Sequence, residues 1–382
     1  MKNPVLLSLI LLLALPAISQ SKYEEINSVN LGTNRSFKVQ LPRNYNENVD
    51  RTYPLILVFD GDYIFEPVVG NVDYFSYWED MPEAIVVGVI QEKTRYKDVS
   101  YNSENFTLDE NGIAFYNFIK KELIPYVKSN YRVSNFNIGV GHDLTANFIN
   151  YFLLNDPTLF GGYICISPEF DPSMQDQITA RLESMDKKVN YYLATGSNDF
   201  PESMEISEKL NYRLSAIKNK KLDYFYDNFK GGNHYSIVTR GVPNAIEKIF
   251  SIYRPITEEE YTNVLLTMDG SIHQYLVDKY ATIEELFGII NVVRENDFLA
   301  VAAAAAKRQQ WDSLREIADM AIKQYPETQL GYYYMGRYHE ETGSPKKAMR
   351  LYQGAYRKKS VSFINTLVML SRAKDIKDTY GY

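Results

Sequence analysis

The sequence predicts an α/β protein, a mostly parallel sheet with helices on both faces, followed by a small all-helical domain. Three observations predict it. Between Phe37 and Tyr253, apolar runs of strand length alternate with stretches of helical spacing. Several runs, Tyr53–Phe59 above all, are apolar almost throughout, as strands covered on both faces must be. After Pro255 the strand pattern stops, and apolar residues recur at helical spacing with an internal period of 34 residues.

The chain opens with Met1-Lys2, the apolar run Val5–Leu15 and the small-residue end Ala17-Ile18-Ser19. This is the pattern of a secretory signal over residues 1–20, with cleavage after Ser19 or Gln20. The run is shorter than the roughly 20 residues of a membrane span, so the mature chain is expected to lack a transmembrane segment. An uncleaved anchor is the alternative. Cys165 is the only cysteine and lies in an apolar run, so no internal disulfide can form. Export with one buried thiol fits a bacterial periplasmic or secreted protein. A net charge of −7 without a basic run argues against a nucleic-acid partner.

The strands are expected at Phe37–Leu41, Tyr53–Phe59, Ala84–Ile90, from Asn135 to the turn at Gly141, then Gly162–Ile166, Val189–Ala194 and Leu222–Tyr226. Phe115, Phe118, Ile119 and Leu123 give residues 112–131 a helical face, and a helix from Pro243 to Tyr253 closes the unit. The domain boundaries that follow are 21–256 for the α/β unit, 257–294 for linking helices and 295–382 for the helical domain. In an open sheet of this kind, ligands bind beyond the strand C-termini.

The stretch Asn135 to Ala146 carries the chemistry. An apolar strand turns at Gly141 and continues into a helix with Leu144, Phe148 and Phe152 four apart. A strand turning into a helix at G-x-S-x-G is a nucleophile elbow, which exposes its serine at a helix N-terminus. Here Asp143 stands at the serine position, and Thr145 and Ala146 stand where small glycines let the turn close.

Further motifs lie in order along the chain: Leu55-Ile56-Leu57-Val58-Phe59-Asp60-Gly61-Asp62, Val86-Val87-Gly88-Val89, Lys121-Glu122-Leu123-Ile124-Pro125, Pro157 to Tyr163, Ser167-Pro168 and Gly232-Asn233-His234. Together they make residues 37–255 resemble the putative-esterase family of α/β-hydrolases, which includes enterochelin esterases and S-formylglutathione hydrolases. The resemblance implies the α/β-hydrolase fold, His234 as base and Asp199 as its acid, with Glu202 as the other acid. It implies an oxyanion hole from the backbone N–H groups of Leu144 and Asp62. The nucleophile position falls to Asp143.

Three readings of Asp143 follow. It is an inactive remnant that caps a helix and gains from the helix dipole. Or it is an attacking carboxylate, as in haloalkane dehalogenases and epoxide hydrolases, although attack on an ester carbonyl would give a mixed anhydride. Or Thr145 or Ser236 supplies the nucleophile. The first makes the chain a non-catalytic binding or scaffolding pseudo-enzyme, with a small-molecule ligand at the elbow pocket; the others make it a hydrolase using Asp143, His234 and Asp199. Asp143 and His234 are expected within hydrogen-bonding distance, Asp199 taking the other imidazole nitrogen, in a carboxylate–imidazolium–carboxylate row. Thr145 and Ala146 are expected to crowd the turn, so that Asp143→Ser alone restores little. His142 is expected to pack beside the turn.

No cofactor or metal is implied. His273 and His339 have no ligand-spaced partners, and Asp60-Gly61-Asp62 lacks the further carboxylates of a calcium loop. In the helical part, Ala302, Leu314, Ala318, Ala321 and Pro326 have counterparts at Gly336, Ala348, Tyr352, Ala355 and Ser360. The period is that of tetratricopeptide repeats, which suggests a protein or peptide partner. Tyr333, Arg337 and Glu340 are the expected exposed contacts.

Overall fold

The computed structural model describes residues 21–102, 104–290 and 292–382. The signal segment expected at 1–20 lies outside the described residues. The chain divides into two compact units. The first comprises the residues up to Tyr74 with Glu83–Val133 and Asn137–Ile246; the second comprises Phe75–Pro82, Ser134–Phe136 and Glu247–Tyr382.

The first unit is built on an eight-stranded sheet: β1 Ser21–Ser28, β2 Thr33–Gln40, β3 Tyr53–Val58, β4 Ile85–Val89, β5 Val133–His142, β6 Gly162–Ile166, β7 Val189–Asn198 and β8 Leu222–Asn233. Their order is β1-β2-β4-β3-β5-β6-β7-β8. From β4 to β8 the neighbours run parallel, and β1 and β2 add an antiparallel edge. β3 and β4 are buried along their whole length, which is why they read as unbroken apolar runs. β1, by contrast, is half exposed and carries Glu24-Glu25, so its apolar content gave no strand signal.

Helices α1 Phe65–Tyr77, α2 Arg95–Asp98, α3 Glu110–Asn117, α4 Ile124–Asn130, α5 Leu144–Asn155, α6 Pro172–Glu183 and α7 Pro201–Leu214 connect the strands, and α8 Val238–Ile249 follows β8. The helix expected over 112–131 is interrupted by a π-helical turn at Phe118–Leu123, which still buries Phe118, Ile119 and Leu123. The helix expected from Pro243 starts earlier, at Val238, with Pro243 inside it. Burial of Val238 and Val242 places that start, over the usual preference of proline for the first turn.

α5 is buried at every position from Thr145 to Leu153, so it is a core helix rather than an amphipathic surface one. Its Phe148 meets Phe59 and Phe115 at ring-centroid distances of 5.6 and 5.1 Å. Truncating this fully buried ring, Phe148→Ala, is expected to lower the unfolding free energy by about 3–5 kcal/mol in urea titrations.

The second unit is helical: α9 Ile272–Phe287, α10 Glu295–Lys307, α11 Trp311–Gln324, α12 Leu330–Glu341, α13 Pro345–Ala355 and α14 Thr366–Tyr380. Its core includes Leu314, Ala318, Ala321, Ala348, Tyr352 and Ala355. A Cβ on Gly336 would overlap the Tyr352 ring, so a glycine there lets α12 and α13 approach. The same approach overturns the expected exposure of Tyr333, Arg337 and Glu340. Tyr333 is buried, and Glu340 accepts hydrogen bonds from Tyr352 Oη at 2.9 Å and Arg372 Nη1 at 2.8 Å. Arg337 pairs with Glu341 at 3.2 Å. Spacings of four and three put these residues on one helix face, and that face packs inward.

Candidate active site

The chemistry-bearing residues converge because parallel strands deliver their ends to one side of the sheet. Val58 pairs with Val140, His142 with Ile166, Ile166 with Ala194 and Asn198 with Asn233. The residues just beyond these positions include Asp60 and Asp62, Asp143 and Leu144, Ser167, Asp199 and His234.

Asp143 adopts φ 58°, ψ −124° between β5 and α5. A non-glycine residue held there stores of order 1–3 kcal/mol of backbone strain. Its N–H donates to Ile166 O at 3.0 Å. Gly141 is required beside it, since a Cβ would lie 2.5 Å from Thr145 O. The turn therefore closes with Thr145 and Ala146 in place, contrary to the expected crowding. Thr145 Oγ1 accepts from His142 N at 3.0 Å and lies 2.7 Å from Asp60 Oδ2, to which it donates. The hydroxyl ties the turn together. Thr145 is thereby unavailable as a nucleophile, and Ser236 Oγ is engaged with the Asn233 backbone.

Arg95, on α2, grips both acids of this region. Its Nε and Nη2 donate to Asp60 at 2.7 and 3.0 Å, its Nη1 to Asp143 Oδ2 at 3.1 Å, and Nη2 also to His142 O at 3.2 Å. Burial pushes the Asp60 carboxyl up, opposed by hydrogen bonds from Arg95, Thr145 and Tyr63. Asp143 is more open, its side chain 17% exposed. Glu169 sits beside it, with its backbone held by the Asn147 amide in two hydrogen bonds of 2.9 Å. Partial burial and the neighbouring Asp143 carboxylate push the Glu169 carboxyl up.

His234 faces Asp199, not Glu202. Nδ1 lies 2.8 Å from Asp199 Oδ1 and 2.9 Å from Ser167 Oγ, and that hydroxyl donates to Asp199 Oδ2 at 2.6 Å. Burial raises the Asp199 carboxyl, but hydrogen bonds from His234, Ser167, Phe200 N and Thr195 outweigh it and hold the group below its ordinary value. Phe200 stacks on the imidazole at 4.3 Å. Among the described residues, Nε2 of His234 has no hydrogen-bond partner, and no hydrogen bond or ion pair joins His234 to Asp143. The expected row of two carboxylates around one imidazolium is therefore absent. The Arg95 guanidinium holds the Asp143 carboxylate instead.

The two backbone groups expected to hold an oxyanion stand at the same sheet end. Leu144 N begins α5, and Asp62 follows β3 with its carboxylate accepting from Gln91 N at 2.7 Å. Among the described residues, no cluster of three His, Cys, Asp or Glu side chains is arranged for a metal. His142 packs behind the site: Nε2 donates to His234 O at 2.9 Å, and Nδ1 lies 3.1 Å from Tyr63 Oη. Burial, then the neighbouring His234, lowers its pKa to about 4. The unfolded chain takes up that proton nearer 6.5, so stability should fall as pH drops through the window from about 6.5 to about 4. The full effect is about 3 kcal/mol. Denaturant titrations of wild type and His142→Asn across this window check it: the variant should lose that share of the slope.

Arg95, Ser167 and Glu169 were not legible as site residues. Arg95 lies outside every motif, and its only trace is the need of two acids at strand ends, Asp60 and Asp143, for a counter-charge. Ser167-Pro168 stood among the family's motifs, and its position after β6 marks it.

Several solved structures share this fold. An uncharacterised protein from Capnocytophaga ochracea DSM 7271 is 27% identical, with a TM-score of 0.84 over 94% of this chain and 100% of that one. An IroE-like serine hydrolase from Shewanella oneidensis shares the fold at 19% identity and a TM-score of 0.59, covering 78% of this chain and 98% of that one. The enterobactin esterase FES from Shigella flexneri does so at 18% identity and a TM-score of 0.50, covering 62% and 60%. No curated protein matches the sequence significantly. The profile of the family described as Putative esterase matches residues 28–237, more than half of the chain, and the chain belongs to that family.

Proposed function

We propose that the chain is an exported, non-hydrolysing member of its family that uses the elbow pocket to bind a small molecule and the helical unit to bind a protein or peptide. One observation carries the first half: the nucleophile position is held by a carboxylate paired with Arg95 and unconnected to His234. A carboxylate attacking an ester carbonyl gives a mixed anhydride, and its standing charge opposes the developing oxyanion. Wild-type protein is expected to hydrolyse p-nitrophenyl acetate and butyrate no faster than buffer. Turnover that disappears in both Asp143→Ala and His234→Ala would sink this reading.

A second reading is favoured by a specific observation. The Asp199–His234 pair is in place at 2.8 Å and the strained elbow is kept, as a hydrolase attacking an sp³ carbon through Asp143 would require. Incorporation of ¹⁸O from labelled water into Asp143 during single turnover with halide or epoxide substrates separates the two.

The protein-binding half rests on the helical unit. α11 and α13 begin at Trp311 and Pro345, and α10 and α12 end at Lys307 and Glu341, keeping the 34-residue period that supports a tetratricopeptide-like reading. Export rests on the N-terminal pattern. Among the described residues no helix is long and apolar enough to cross a membrane. Amino-terminal sequencing of the periplasmic form should read from Gln20 or Ser21.

A further inference from the structure

A cavity of about 770 Å³ lies in the first unit between α3, α5, α6 and the loop around Phe106. None of Asp60, Arg95, Asp143, Asp199 and His234 lines it. The elbow and the cavity lie at opposite ends of α5: Tyr151 and Leu154 stand eight and eleven residues past Asp143, about 12 and 16 Å along the axis at 1.5 Å per residue. The volume falls within the roughly 300–1,000 Å³ range of small-molecule sites.

The walls combine apolar side chains, Ile113, Tyr116, Leu154 and Met174, with uncharged polar ones, among them Asn117 and Gln177. The Tyr151 hydroxyl is spent on Phe106 O at 2.6 Å. Arg181 is the one charged side chain in the lining. It is half-buried, donates through Nη2 to Leu154 O at 2.7 Å, and among the described residues is paired with no carboxylate. Nearby charges are already matched or engaged: Lys120 pairs with Asp156 at 2.7 Å, and Asp171 accepts from Ser173 N at 2.7 Å. A guanidinium with donors to spare, in a wall that also offers Ile113, Tyr116 and Met174, matches a carboxylate attached to an apolar body.

We propose that this cavity binds an amphipathic small molecule with a single carboxylate, its aromatic or aliphatic body on Ile113, Tyr116 and Met174 and its carboxylate on Arg181. The site is separate from the elbow pocket and does not depend on what that pocket does. Arg181 also closes the end of α5 through the Leu154 carbonyl, a purely structural role that an uncharged amide donor can take over. Arg181→Gln therefore separates the two roles.

The test is calorimetric titration of the full chain with 1-naphthoate and with its neutral counterpart 1-naphthalenemethanol. Wild type is expected to bind the carboxylate at least tenfold more tightly than the alcohol. Arg181→Gln should abolish that preference, and Arg181→Lys should keep part of it. Ile113→Trp, which fills the cavity from its rim, should weaken both probes at least tenfold. Absence of naphthoate binding at millimolar concentration, equal affinities for the two probes, a preference surviving in Arg181→Gln, or binding unaffected by Ile113→Trp would each overturn the proposal. Should Arg181→Gln unfold, the comparison of wild type with Arg181→Lys and Ile113→Trp still decides it.

Discussion

Substituting Arg95 by methionine is expected to lower the unfolding free energy by about 3–5 kcal/mol, because it strands a buried charge. Asp60 is 1% exposed, and its carboxylate is held by two guanidinium hydrogen bonds, the Thr145 hydroxyl and Tyr63 Oη at 3.1 Å. Methionine fills much of the arginine volume but supplies no charge or donor. Burial already pushes the Asp60 carboxyl up, so in the variant it should take a proton as pH falls, and the loss should shrink toward acid. Arg95→Met combined with Asp60→Asn should recover most of the stability, since an uncharged pair leaves no uncompensated ion. Asp143→Asn alone should cost little, because that carboxylate is partly solvated. Urea titrations of the four proteins check this. A loss under about 1 kcal/mol in Arg95→Met, or no recovery in the double variant, would show that Arg95 does not hold the elbow together.

How far the sequence carried the structure depended on whether a property was local. Buried parallel strands announce themselves as apolar runs, so β3 to β7 were placed from composition alone, and with them the sheet end where the site forms. The pairing of Asp199 with His234 rests on the order of motifs, and the structure sets the two groups 2.8 Å apart. What was not legible comes from partners distant in sequence. Arg95 reaches Asp143 across 48 residues, and no local pattern marks an arginine that will be drawn to two acids. The same contact broke the expected link between Asp143 and His234. Thr145 was misread for another reason: bulk at that position suggested an obstructed turn, whereas the hydroxyl has donors and acceptors within reach that only folding supplies. The edge strand β1 was missed because a half-exposed strand carrying acids has no apolar signature.

Closure of the turn changes what Asp143→Ser should do. With Gly141 in place and φ 58° at residue 143, the elbow already has the strained conformation that lifts a nucleophile to the start of α5. His234 is oriented by Asp199 and Ser167 and leaves Nε2 without a protein partner among the described residues, as a general base at this position would require. Leu144 N and Asp62 N remain at the strand ends where an oxyanion would be held. A serine removes the charge that opposes that oxyanion and restores a neutral, deprotonable nucleophile. General-base assistance of this kind contributes about 10²–10⁴-fold. Asp143→Ser is therefore expected to hydrolyse p-nitrophenyl acetate at least about 10²-fold faster than wild type, and Asp143→Ser with His234→Ala should return to the wild-type background. Arg95 keeps its two bonds to Asp60 when Asp143 is lost, so the fold should survive the change. If folded Asp143→Ser is no faster than wild type, the pocket lacks more than a serine, and the Asp199–His234 pair is structural. If it is faster without needing His234, the base has been misassigned.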